Sequence, residues 1–286
     1  MNRVPRWLLA IAVGAGPTTG CVGTDVGNPE NGRQQTDVQE TEQVDVEVRM
    51  EGLQNVPSPG ALQLADGTRI EEVWIGLEEF ALRSQGSCDA PGEPAGDNRL
   101  VAELLGSDSK PVATIPDREV GDYCGLDVAL TPVSAGEVPE SAPETLAGHS
   151  LLVGGERADG TAFELRADLE ERLSLSEHGD SFTLGPKGRQ FLLSFAIEEW
   201  IDEGELEKID GEDPIVVTAE DHVDVYEEFE KAFEETALLL RDNDGDGVSN
   251  PSERGSILAS TIPEDERENP EREDDAGPEE EEDGGG

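Results

Sequence analysis

Basic residues, aromatics and histidine are all scarce in this chain. Lys and Arg together number 20 against 67 Asp and Glu, giving a formal charge of −47. Such a surface repels a polyanion, which excludes nucleic acid as a partner. It favours cations, basic partners, or high-salt surroundings, where screening confines carboxylate repulsion to about 3 Å at 1 M salt. Most of the excess therefore reads as solvated surface. Aromatics make up 4% of the residues and hydrophobic residues 35%, which is low but enough for a core in 286 residues.

The signatures of catalysis are missing too. His149, His178 and His222 are the only histidines, and none stands in a metal-ligand or nucleophile motif. No Gly-rich loop leads into a Lys-Ser/Thr pair, so the phosphate cradle is absent. Gly148-His149-Ser150 lacks the second Gly of a nucleophile elbow and falls in a predicted strand. Glu198-Glu199 beside Trp200 resembles a glycosidase pair only superficially, since neighbouring carboxylates arise by chance in so acidic a chain. No enzyme is expected; a hydrolase with a dispersed site is the catalytic alternative.

What is present begins at the N-terminus. Arg3 and Arg6 precede an apolar run from Trp7 to Gly16, too short to span a bilayer but suited to an export signal. Thr18-Thr19-Gly20-Cys21 resembles a bacterial lipobox, which implies cleavage of residues 1–20 and lipidation of Cys21. That resemblance implies a protein held to a membrane of the cell envelope, at the outer membrane or cell surface. An ordinary cleaved signal, with a periplasmic or secreted product, is the alternative. Of three cysteines, Cys88 and Cys124 then remain as an even pair in a disulfide-permissive compartment. A bridge between them is expected, with two free buried thiols as the alternative.

Composition divides the rest. Residues 21–43 are Gly, Asn, Thr, Gln and acids, as expected of a flexible tether. From Val44 alternation begins: Val44, Val46, Val48 and Met50 share one face, and Val73, Ile75 and Leu77 another, with a phase change before Phe80 and Leu82 that predicts a β-bulge. Further strands are expected at 99–105, 123–130, 149–153, 162–167, 181–184, 190–197 and 214–218, with a hairpin turn at Asp159-Gly160. Residues 188–201 also fit a partly helical reading. Short strands without long intervening helices predict a mainly β domain over 44–218, an antiparallel β-sandwich. Its pattern resembles β-sandwich domains of bacterial surface lipoproteins, of transthyretin-like or immunoglobulin-like type. Residues 263–286 are acids, Pro and Gly, as in a disordered tail.

One stretch spells out a chemistry. In Asp242-Asn243-Asp244-Gly245-Asp246-Gly247-Val248-Ser249-Asn250-Pro251-Ser252-Glu253, side-chain oxygens fall at positions 1, 3, 5, 9 and 12, with Gly at 6. This spacing lets a twelve-residue loop surround a hard divalent cation. It resembles EF-hand-like calcium loops, which implies Asp242, Asp244, Asp246, the Val248 carbonyl, Asn250 and Glu253 as calcium ligands. The flanks predict helix-loop-helix over 219–262: Tyr226, Phe229, Phe233 and Leu240 stripe an entering helix, Asp224 and Glu227 form its capping box, and Asn250, Pro251, Ile257 and Leu258 open a short exiting one. Position 8, which pairs one loop with another in the family, is Ser249, and no second loop follows. The unit is thus closer to the single loops of dockerin-like and thrombospondin-like modules. The alternative is a metal-free, solvated acidic turn. The expected function is a calcium-stabilised binding or adhesion module of the envelope, with a purely structural lipoprotein as the alternative. No feature identifies a protein or glycan partner or points to oligomerisation.

Overall fold

The computed structural model describes residues 42–53, 60–94, 96, 99–106, 112–169, 172–177, 181–201, 206, 208–209 and 214–261. The export signal at 1–20, the Cys21 anchor, most of the tether, His178 and the acidic tail at 263–286 lie outside the described residues.

The protein is mainly β, as the alternation predicts, and its strands form one curled sheet. In chain order these are β1 (Gln43–Gly52), β2 (Leu62–Gln63), β3 (Arg69–Ser84), β4 (Leu100–Glu103), β5 (Val112–Glu119), β6 (Gly121–Leu130), β7 (Leu151–Glu156), β8 (Ala162–Ala167), β9 (Arg172–Glu177), β10 (Phe182–Leu184), β11 (Gln190–Phe195), β12 (Ile215–Val217), β13 (Ala237–Arg241) and β14 (Ile257–Ser260). Helix α1 (Val223–Glu235) precedes β13, and the short α2 (Pro251–Arg254) precedes β14. The sheet runs β12-β8-β7-β3-β6-β9-β14-β13-β11-β1-β5. Where an all-antiparallel arrangement was expected, β1 pairs with β11 and β12 with β8 in parallel. Long excursions between those strands allow a parallel approach, which a tight hairpin does not.

Alternating side chains explain the curl. Val44, Val46, Val48 and Met50 of β1 and Ile70, Val73, Ile75, Leu77, Phe80 and Leu82 of β3 belong to one buried cluster. The expected bulge lies in β3: register with β6 shifts between Glu78 and Ala81, and Glu79 has a φ of 53°. Two backbone bonds close the curl, from Gly52 N–H to the Leu104 carbonyl at 2.9 Å and from Leu104 N–H to the Val73 carbonyl at 2.9 Å. The scarce aromatics concentrate under α1, whose Phe229 and Phe233 lie 6.1 and 5.1 Å from Trp200, ring centre to ring centre. The Trp200 indole N–H donates to Thr236 Oγ1 at 2.7 Å, so the ring is committed to the core.

The C-terminal segment departs from helix-loop-helix. Helix α1 ends at Glu235, and Leu240 lies in β13, between β11 and β14. A strand with neighbours on both sides and buried faces reads as a continuous apolar run, and Ala237-Leu238-Leu239-Leu240 happens to continue the helical spacing. Helix α1 also starts earlier than expected. His222 stands at its cap with a φ of 64°, so Asp224 and Glu227 form no capping box. Ile257 and Leu258 belong to β14, not to an exiting helix.

Cys88 and Cys124 form a disulfide with 5.9 Å between their Cα atoms. A buried ion pair holds the same corner, with Arg83 Nε 3.4 Å from Asp127 Oδ1. Arg83 donates to the Cys88 carbonyl at 3.0 Å, and Gly92 N–H donates to Asp127 Oδ2 at 2.7 Å. A Cβ at position 125 would lie 2.3 Å from Arg83 Nη2, so Gly125 admits the guanidinium. With this corner fixed by polar contacts, reduction of the disulfide acts chiefly on the unfolded chain. Reductant should lower unfolding free energy by about 4 kcal/mol while leaving the native circular dichroism intact, as denaturant titrations with and without dithiothreitol will test.

Candidate metal centre

The loop connects β13 to β14, and its first residue is fixed by the sheet. Asp242 N–H donates to the Gln190 carbonyl at 3.1 Å, one step beyond the β11–β13 ladder. This places the Asp242 carboxylate in a buried position, 5% exposed. Its two oxygens accept from Gly245 N–H at 2.6 Å and Gly247 N–H at 3.2 Å. Both glycines have a φ of 77°, a left-handed conformation that an L-residue with a Cβ resists. The next turns follow the same rule: Asp244 Oδ1 accepts from Asp246 N–H at 3.3 Å, and Asp246 Oδ1 accepts from Val248 N–H at 2.8 Å.

The bend brings three of the six expected ligands together. One carboxylate oxygen from each of Asp242, Asp244 and Asp246 lies within 4.8 Å of the others, with Asp244 and Asp246 open to solvent. Glu253 stands elsewhere. Fully buried, it accepts from Asn243 N–H at 2.7 Å and Asn250 N–H at 3.0 Å, clasping the two ends of the loop. Asn250 caps α2 through Ser252 N–H at 3.0 Å and Glu253 N–H at 3.2 Å, while its amide reaches Asp244 Oδ2 at 3.4 Å. Val248 lies on the exposed side of the bend. The donor set is hard oxygen throughout, which suits calcium or magnesium and not a soft thiophilic metal.

Two residues of β1 dock the loop, and sequence reasoning missed both. Glu51, 3% exposed, accepts from Ser249 N–H at 2.9 Å and from Ser194 Oγ at 2.8 Å. Ser249 Oγ in turn accepts from Arg254 Nε at 3.1 Å. Position 8 thus finds its partner in a side chain of the sheet instead of a second loop. Arg49 Nη1 donates to the Gly245 carbonyl at 2.7 Å and lies 3.7 Å from Asp242 Oδ2. The available signal was a phase argument: with Val48 and Met50 inward, Arg49 and Glu51 occupy the other face of β1, Arg49 as a lone base.

The other residues singled out have structural surroundings. His149 Nδ1 pairs with Asp168 at 2.5 Å, and His222 stands at the N-cap position of α1, where its side chain makes no cap hydrogen bond. Trp200 is 1% exposed, which removes the open aromatic platform that a sugar-binding Glu198-Glu199 pair would need. A separate groove of about 480 Å³ is lined by Tyr123, Arg118, Glu119, Ser84 and neighbouring residues, and holds no histidine among the described residues.

Burial pushes the Asp242 carboxyl above the usual carboxylate range; the N–H groups of Gly245 and Gly247 and the charge of Arg49 pull it down less, and Glu253 adds to the rise. Without a cation, the native state therefore holds this proton more tightly than the unfolded chain. The Asp242 contribution to stability is present at low pH and is lost as pH rises from the ordinary Asp value through the raised one. Urea titrations across that window in a chelator should show this slope, and the Asp242→Asn variant should lack it. For Glu51→Ala, hydrogen exchange at the Ser249 amide should accelerate at least tenfold, since that N–H loses its acceptor. Comparison with protein-family models, with curated proteins and with solved structures finds no match, so the reading of this centre rests on its own residues.

Proposed function

We propose that this protein is an exported, lipid-anchored envelope protein in which calcium at the β13–β14 loop braces a non-catalytic binding or adhesion module. The observation that carries the calcium reading is the meeting of the Asp242, Asp244 and Asp246 carboxylates at one bend. Asp242, Asp244 and Asp246 would hold the ion, with Asn250, the Val248 carbonyl and Glu253 as the further ligands that the loop resemblance implies. The ion would supply charge neutralisation and rigidity to the connection between two core strands, not a reaction. Its dissociation constant, by analogy with extracellular single-loop modules, is about 0.1 to 1 mM. Export and lipidation are supported by Arg3, Arg6, the apolar run and Cys21, and the disulfide agrees with an oxidising compartment.

A second reading, an acidic turn that holds itself without metal, is favoured by Glu253, both of whose oxygens accept backbone N–H groups. Calorimetric titration of the full chain separates the two. Calcium chloride at millimolar concentration should give saturable heat, Asp244→Ala should abolish it, and a hundredfold excess over Kd should add roughly 2.7 kcal/mol to stability. Absence of heat together with an unchanged unfolding midpoint would leave the metal-free turn.

A further inference from the structure

We infer that Arg49 is a resident counter-cation of the Asp242 loop, displaced when a divalent ion binds, so that its guanidinium sets the strength of the site. This inference rests on the calcium reading above and assigns how that site is regulated.

The contact is aimed at the least solvated ligand. Asp242 is buried while Asp244 and Asp246 are exposed, and Arg49 approaches Asp242 Oδ2 at 3.7 Å from β1. Its position is fixed by the sheet, because Arg49 lies in register with Leu192 of β11 and Val112 of β5. The same Nη1 donates to the Gly245 carbonyl at 2.7 Å, so one planar group satisfies a loop carbonyl and faces a buried carboxylate. At 3.7 Å the contact with Asp242 is longer than a hydrogen bond. Towards that carboxylate the guanidinium is therefore held by charge, and charge is what an incoming ion replaces.

A place for the displaced group already exists. Arg49 Nη2 lies 3.9 Å from Glu47 Oε2, on the same face of β1, and Gln190 Nε2 fixes that carboxylate by donating to it at 2.9 Å. Exchange requires the guanidinium to move from Asp242 towards Glu47 while the ion takes the three aspartates. With Arg49 in place, the loop keeps its shape without metal. The cost falls on affinity: a calcium ion bound to Asp242 meets a like charge a few ångströms away, which weakens binding by about tenfold in a well-solvated setting.

Titration of the full chain with calcium chloride, alongside thermal unfolding in chelator and in calcium, tests this. In Arg49→Met the metal-free midpoint should fall and the calcium Kd should tighten about tenfold. Arg49→Lys keeps the charge but not the fork, so its Kd should stay within about threefold of the wild type. If Arg49→Met is unfolded without metal, its Kd is read by competition with a chelator of known affinity, starting from the calcium-bound protein. Equal Kd values in all three proteins, or tightening by Arg49→Lys as large as by Arg49→Met, would overturn the role of Arg49 and leave the calcium reading standing. No binding by any of the three would overturn the calcium reading and this inference together.

Discussion

A carboxylate buried at the end of a core strand is the constraint from which the loop's construction follows. Asp242 is placed by the β11–β13 ladder in a position where water cannot solvate it fully. Taking an ionised carboxylate out of water costs several kcal/mol, by a rough estimate, unless other groups replace the lost hydration. Two glycine N–H groups and one arginine are what the fold supplies. Gly245 and Gly247 are needed because the bend that aims their N–H groups at Asp242 passes through left-handed backbone twice. The alternation of Asp and Gly is thus a single device in which both glycines turn the chain so that their N–H groups reach the one carboxylate of Asp242.

The position of the loop matters as much as its composition. The strands on either side of it, β13 and β14, stand between β11 and β9 in the sheet. They join the half built from β12, β8, β7, β3, β6 and β9 to the half built from β11, β1 and β5. A connection that splayed would loosen the seam between the two halves, not an isolated appendage. This accounts for the double fastening of the loop to β1 through Arg49 and Glu51, and for the Glu253 clasp across its ends. It also makes the last described segment of the chain part of the sheet's continuity, and the β9–β14 and β11–β13 pairings that join the two halves are distant in sequence, which slows folding.

Much of this was legible where the pattern is local. Alternation in β1 marked its buried face, the phase change in β3 marked its bulge, and Asp159-Gly160 marked the turn between β7 and β8. Side-chain oxygens at odd positions with Gly at 6 marked the bend that gathers three carboxylates. What was not legible depends on distance or on symmetry of burial. The Arg49 and Glu51 contacts with the loop span 196 and 198 residues, and no spacing rule reaches so far. Strand β13 was hidden because burial on both faces erases period two, leaving an apolar run that extended the stripe of α1. Strand β5 carries only Ala113 and Ile115 inward before Pro116, too short a signal to separate from a turn.

The scarcity of bases gives this arrangement its sense. With more than three acids for every base, most carboxylates face water and need no partner, so an arginine is informative where solvation fails. Arg83 meets Asp127 inside the disulfide corner, and Arg49 meets Asp242 at the seam of the sheet. In the first case serine and backbone N–H groups complete the coordination of the carboxylate, and the pair is closed. In the second, two further carboxylates open to solvent stand within a few ångströms of the buried one. The same kind of ion pair is thus closed at one corner and flanked by unbalanced negative charge at the other. Negative charge beyond what one guanidinium can balance, gathered beside a solvent-exposed bend, is the condition under which a divalent ion has something to gain by entering.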